Sequence, residues 1–183
     1  VLSGGLHPHY AEVVRTVSDM ADDAVVTMAP GRILKPGSAV SVIVSWTGNV
    51  FAVALESVAQ ARDSESSSRA YNKLLYAIGN NHAGTYFPVV LAVMPAIELT
   101  LRNGEPWPQR TVLEVLLDLQ SAFCPENTYK VFNGVPLAHA VKTHIFALRP
   151  SIELVAKGTS IAASSAQELL ETLNKAIHSH PKI

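Results

Sequence analysis

One cysteine, Cys124, stands in 183 residues. That excludes an internal disulfide and makes a reducing compartment, the cytoplasm, the expected setting. Charge is also scarce, at 16% of residues. Fourteen Lys and Arg against fifteen Asp and Glu leave a formal net charge of −1. Without a basic excess, neither nucleic acid nor anionic lipid is an expected partner. Long hydrophobic runs are missing as well, although 48% of residues are apolar and mean hydropathy is positive. The most apolar stretch, Ala83 to Ile97, contains Pro88 and Pro95 and falls short of the roughly 18–20 residues that span a bilayer. It is expected to be a helix buried in protein. No basic-then-apolar leader opens the chain, so no secretory signal is expected.

The motifs of common chemistries are equally sparse. The sequence has no His-Glu-x-x-His, no Cys-x-x-Cys and no Gly-x-Ser-x-Gly. Gly158-Thr159-Ser160 lacks the lysine and flanking glycines of a phosphate loop. His7 with His9, and His178 with His180, sit near the ends with no carboxylate spaced to complete a metal site. His139 and His144 are five residues apart and do not share a helix face. No catalytic residue, metal or cofactor is therefore expected. Cys124, before Pro125, reads as a half-buried residue at a helix end rather than as a nucleophile. Glu98 is the odd residue, a carboxylate on an otherwise apolar helix. It reads either as the partner of Arg102 at i+4 or as a buried acid poised for proton transfer.

What the chain does have is helical periodicity. Tyr10, Val13, Val14 and Val17 mark a helix over Tyr10–Met20. Two Pro-Gly pairs then mark an irregular connection, with Ser38 as the next N-cap. Ala39–Trp46 alternates like a strand but is taken as a short helix, followed by a second from Asn49 or Val50 to Arg62. The polar run Arg62–Ser68 reads as a solvated loop. Further helices are expected over Arg69–Asn80, Tyr86–Arg102, Trp107–Phe123, Pro136–Leu148, Pro150–Lys157 and Ala163–Ile177. Turns are expected at Asn80–Gly84 and Asn103-Gly104, and a longer loop from Cys124 to about Asn133-Gly134. On the Trp107 helix, Val112, Val115, Leu116, Leu119 and Phe123 form one apolar stripe, with Leu113 and Leu117 forming another. Arg110, Glu114 and Asp118 form a single polar ridge. Such a helix suits neighbours on both sides.

Trp46–Leu55 lines up with His82–Leu91 at an offset of 36 residues, with glycine, phenylalanine, valine and leucine coinciding. A period in the range of roughly 20–50 residues is the mark of a solenoid. The expected fold is all-α: an α-solenoid of about eight helices in antiparallel pairs, as one domain over 1–183. Within it, 1–37 is irregular, 38–125 holds the best-defined repeats and 126–183 holds divergent ones.

Gly84-Thr85-Tyr86-Phe87-Pro88, followed by Pro106-Trp107-Pro108-Gln109-Arg110-Thr111-Val112-Leu113-Glu114-Val115-Leu116-Leu117-Asp118-Leu119, resembles bacterial HEAT-like repeat proteins. In that group a Gly-x-x-(Phe or Tyr) turn leads into an apolar helix, and a Pro-Trp-Pro-x-Arg start opens the next. The resemblance covers about residues 45–125, is weak after 134 and is absent before 38. It implies a non-catalytic binding protein, of the kind often found as an immunity protein that neutralises a cognate bacterial toxin, such as a nuclease effector.

Between Glu98 and Glu126 the charges sum to −3, a mildly acidic patch suited to a basic partner. Glu98, Glu105, Trp107, Arg110, Glu114 and Asp118 are the candidate partner-binding residues, with Trp107 and Arg110 as the anchor types. Two other readings stand beside this one. The chain is a scaffold or adaptor joining other proteins, or, more remotely, a small helical enzyme using Glu98 and a histidine.

Overall fold

The computed structural model describes the backbone of residues 40–179 and the side chains of residues 50–176. The expected helix Tyr10–Met20, the Ser38 cap, the irregular 1–37 segment and His7, His9 and His180 lie outside the described residues. The side chains of Trp46 and His178 are also outside them. Among the described residues there are seven α-helices and five two-residue strands, so the chain is mainly α-helical.

Helix α1 (Val40–Ala59) is continuous, where the sequence predicts two helices parted at Gly48. A glycine inside a helix costs only about 1 kcal/mol relative to alanine. The buried face Phe51, Ala54, Leu55 and Val58, at helical spacing, holds the second half in place. Helix α2 (Ser64–Ile78) also departs from expectation. It begins inside the polar run, not after it, because Asp63 and Ser66 form a capping box. Asp63 Oδ1 accepts from Ser66 N–H at 2.7 Å, and Ser66 Oγ accepts from Asp63 N–H at 3.1 Å. Two amides that would otherwise lack partners are thereby satisfied.

The turn after α2 falls where expected. Strand β1 (Gly79–Asn80) is joined through a 3₁₀ turn at Asn81–Ala83 to β2 (Thr85–Tyr86), paired antiparallel with it. Gly84 takes the left-handed conformation at φ 63°. Gly79 lets the strands close, since a Cβ there would stand 2.1 Å from the Thr85 carbonyl oxygen. Tyr86, expected in a helix, is therefore in a strand. Helix α3 (Val90–Asn103) starts beyond Pro88, because proline disfavours helical backbone in the residue before it. Pro95 lies within α3 and is exposed, so that helix is not buried all round.

Helix α4 (Pro106–Ser121) opens on its prolines, as expected. Val112, Leu113, Val115, Leu116 and Leu119 are all at most 1% exposed. Burial of this kind stabilises by about 1.5–3 kcal/mol per large aliphatic side chain. Strand β3 (Cys124–Pro125) then pairs parallel with β2. A 3₁₀ turn at Asn127–Tyr129 leads to a hairpin, β4 (Val131–Phe132) and β5 (Val135–Pro136). Its two turn residues have positive φ, 50° at Asn133 and 77° at Gly134, as a two-residue type I′ turn requires. Helices α5 (Leu137–Ala147), α6 (Arg149–Ala156) and α7 (Ala163–Ser179) follow close to the expected positions.

The packing order is simple. Helix α1 lies on α2, α3 on α4, and α6 on α7. Helix α4 sits between α2 and α7, while α3 contacts both α5 and α6. The two-sided packing anticipated for the Trp107 helix is thus present. A buried hydroxyl pair, Ser67 Oγ and Thr111 Oγ1 at 2.8 Å, ties α2 to α4. Four residues on along α2, Tyr71 meets Asp118, seven residues on along α4. Contacts advance together, so these two helices run in the same sense.

A candidate protein-interaction groove

Two of the three residues of the polar ridge of α4, Glu114 and Asp118, line an open groove between α2, α4 and α7, whereas Arg110 and Trp107 do not. Its walls are Tyr71 from α2, Glu114, Leu117, Asp118 and Ser121 from α4, and Glu168 and Thr172 from α7. The space amounts to about 470 Å³. Helical spacing places Glu114, Leu117, Asp118 and Ser121 on one side of α4. The Ser67–Thr111 bond sets the register that brings Tyr71 opposite them.

Each ridge residue is held. Arg110 Nε donates to Glu114 Oε1 at 2.8 Å, with both side chains about one third exposed. The Arg110 guanidinium also lies 5.4 Å from the centroid of the half-buried Trp107 ring, a cation–π contact. Tyr71 donates its hydroxyl to Asp118 Oδ2. Burial, then that hydrogen bond and the charges of Asp118 and Glu114, push the Tyr71 phenol well above its ordinary range. The phenol therefore stays protonated and keeps donating. Glu168 stands on the opposite wall and is exposed. Glu114 and Asp118 are thus held side chains on the wall of an open groove with a net negative lining.

The other candidates fall elsewhere. Glu98 pairs with Arg102 at 2.6 Å and its side chain is 40% exposed. This is the i+4 pairing anticipated from sequence, and it removes Glu98 as a buried proton-transfer acid. Glu105 is the exposed N-cap residue of α4 and makes no side-chain capping bond. Neither residue lines the groove. Cys124 corrects its expectation outright: it is exposed in β3, not half-buried at a helix end, because α4 stops at Ser121. His82, His139 and His144 are exposed. Among the described residues no group of three or more His, Cys, Asp or Glu could hold a metal ion, and no helix is long and apolar enough to cross a membrane.

Sequence reasoning missed Tyr71, Ser121, Glu168 and Thr172. The i, i+4 spacing of Glu168 and Thr172 on an amphipathic helix was a signal for a shared face. Nothing local, however, says that this face meets α4.

Comparison with known proteins adds little. Over 30 residues the chain is 67% identical to a protein described as probable glycine dehydrogenase (decarboxylating) subunit 1 from Methylocella silvestris. That stretch is 16% of this chain and 7% of that protein. The likeness is too short to carry an activity across. No family model matches the chain, and no solved structure matches it.

Proposed function

We propose that this chain is a non-catalytic protein-binding module whose working surface is the groove across α2, α4 and α7. The fold reading behind it is a HEAT-like stack of three helix pairs: α1 with α2, α3 with α4, and α5–α6 with α7. Two spacings support that reading. The first helices end at Ala59 and Asn103, and the second helices at Ile78 and Ser121, intervals of 44 and 43 residues. HEAT-type repeats run to about 40–47 residues. The stacking of α2, α4 and α7 side by side supports it too, as does the common sense of α2 and α4.

The observation that carries the function is the groove itself. It crosses three successive second helices, the layer on which a solenoid presents an extended binding surface. It offers Glu114, Asp118 and Glu168 around Leu117, a lining that suits a cationic protein surface. Trp107 and Arg110, at the start of the same ridge, supply the residue types that most often anchor interfaces. A cognate bacterial toxin with a basic active groove, such as a nuclease, is the partner that the HEAT-like resemblance implies and this lining suits.

The test is native co-purification from the cells that make the protein, with mass spectrometry of what accompanies it. A single stoichiometric partner whose expression alone is toxic is the expected result. Several substoichiometric partners would favour an adaptor instead. With the partner in hand, Glu168→Lys should weaken binding by about tenfold or more, the scale of a desolvated interface charge. Among the described residues Glu168 makes no ion pair that its loss would disturb. Unchanged affinity would move the surface away from the groove.

A further inference from the structure

The chain contains the dipeptide Asn-Gly twice, at Asn103-Gly104 and at Asn133-Gly134; both asparagines are exposed, but the two glycine amides are held differently. The first closes α3. There the Gly104 N–H donates to Thr100 O at 2.8 Å, and a Cβ on Gly104 would stand 2.4 Å from that same oxygen. The second is the tip of the β4–β5 hairpin. Asn133 and Gly134 are both exposed, and nothing lies within 4 Å of where a Gly134 Cβ would be. Among the described hydrogen bonds none is donated by the Gly134 N–H. The ladder that holds the tip is two residue pairs long, Val131↔Pro136 and Phe132↔Val135. Of its four residues only Phe132 packs against the core, the other three being exposed, and a two-stranded ladder with so little packing is marginal in water, so the tip opens at small cost.

From this contrast we propose that Asn133 is a site of spontaneous deamidation, and that one of its two products unlatches the hairpin. The Gly134 backbone nitrogen attacks Cγ of Asn133, a C–N bond forms, and the bond to the side-chain nitrogen breaks. Ammonia leaves with the Gly134 amide proton, and a five-membered cyclic imide remains. Water then adds to one of its two carbonyls. Opening on the side-chain carbonyl's nitrogen bond gives aspartate at 133. Opening at the main-chain carbonyl gives isoaspartate, with the chain rerouted through the side chain. Nothing is oxidised or reduced, and water is the only co-reactant.

The products differ in consequence. Asp-Gly supports the same type I′ turn as Asn-Gly, so aspartate keeps the hairpin and adds a negative charge. Isoaspartate inserts an extra backbone atom into a two-residue turn, and both ladder pairs cannot then form. The bond from Leu137 N–H to Lys130 O, 2.9 Å long and next to the ladder, loses its support.

The test is to hold the folded protein in warm, mildly alkaline buffer and follow two tryptic peptides, Val131–Lys142 and Asn103–Arg110, by mass and by isoaspartate-specific methylation. A parallel sample is kept in denaturant. Unfolded, the two sites should convert at similar rates. Folded, Asn133 should convert about tenfold faster, because the Gly104 amide must first give up its hydrogen bond. Equal rates in the folded protein, or faster conversion at Asn103, would overturn the proposal. Hydrogen exchange at the Leu137 amide decides the second half. It should accelerate in the isoaspartate fraction but not in Asn133→Asp, and unchanged protection in both would mean that the hairpin does not open.

Discussion

Trp46–Leu55 and His82–Leu91 share four residues at matching positions, yet they fold differently. The first lies wholly inside α1; the second is a 3₁₀ turn, a strand and only then the first residues of α3. Gly48 is a mid-helix residue, while Gly84 is left-handed at φ 63°. Phe51 is 3% exposed, whereas Phe87 is part-exposed and meets Tyr129 edge-on. Leu55 sits near the end of its helix and Leu91 at the beginning of its own. The difference follows from Pro88, which has no counterpart in the first segment, and from β3, which pairs with β2. Matching letters at a fixed offset suggested a 36-residue unit. The two segments do not occupy equivalent places in the helices, so the letters coincide without a shared local structure.

Core truncation should show the contrast most strongly. Phe51→Ala should cost about 3–5 kcal/mol, and Leu55→Ala about 2–5 kcal/mol, because both leave cavities at buried sites. Phe87→Ala and Leu91→Ala, at part-exposed sites, should cost clearly less. Denaturant midpoints of the four variants measure this, and equal losses in both segments would restore the idea of equivalent repeats.

The glycines should respond with opposite signs. Gly84→Ala forces a Cβ into left-handed backbone and should destabilise by about 1–2 kcal/mol. Gly48→Ala removes a mid-helix glycine and should stabilise by up to about 1 kcal/mol. If Gly48→Ala also destabilised, α1 would be broken at that point after all.

Alkaline pH separates the segments in another way. Tyr86, where the first segment has Val50, is 1% exposed. Burial, with a smaller effect from the neighbouring Cys124, pushes its phenol up from 10.0 to about 12. A folded value above the unfolded one means that the protonated phenol stabilises the fold below pH 10 and that this contribution disappears as pH rises through about 12. Tyr71 adds a shift in the same direction. Stability should therefore fall above pH 10, and Tyr86→Phe should lessen the fall, as read from denaturant midpoints alongside tyrosinate absorbance.

The smallest effect is expected at the connection between the two segments. The Ser66 backbone amide, then its hydroxyl, holds the Asp63 carboxyl below its usual value of 3.8. Its contribution is present above that value and is lost as pH falls through the depressed one. Asp63→Asn keeps the cap acceptor and should flatten this acid-side dependence; an unchanged acid limb would mean that the box is not formed in solution.

Much of the helical content was legible in the sequence. The α4 stripes, the Leu74, Leu75 and Ile78 face of α2, and the last three helices all follow from spacing that survives burial. The Glu98–Arg102 pair was legible for the same reason, since i+4 neighbours meet wherever the helix is placed. Helix starts were less so. Asp63-Ser64-Glu65-Ser66 reads equally as loop or cap until the helix it serves has packed. The Asn133-Gly134 hairpin carries a local signal too, since Asn-Gly favours a type I′ turn.

The sequence by itself determined the local geometry of this protein. Periodicity, proline and glycine act within a few residues and set most of where the chain is helical and where it turns, though not every helix start. Only the tertiary structure decided the groove. Tyr71, Asp118 and Glu168 come from three helices, and their meeting depends on the order α2, α4, α7 and on one buried hydroxyl pair. It also decided which of two identical Asn-Gly pairs has its glycine amide held in a hydrogen bond. Such outcomes rest on contacts between residues distant in the chain, and no local pattern encodes them.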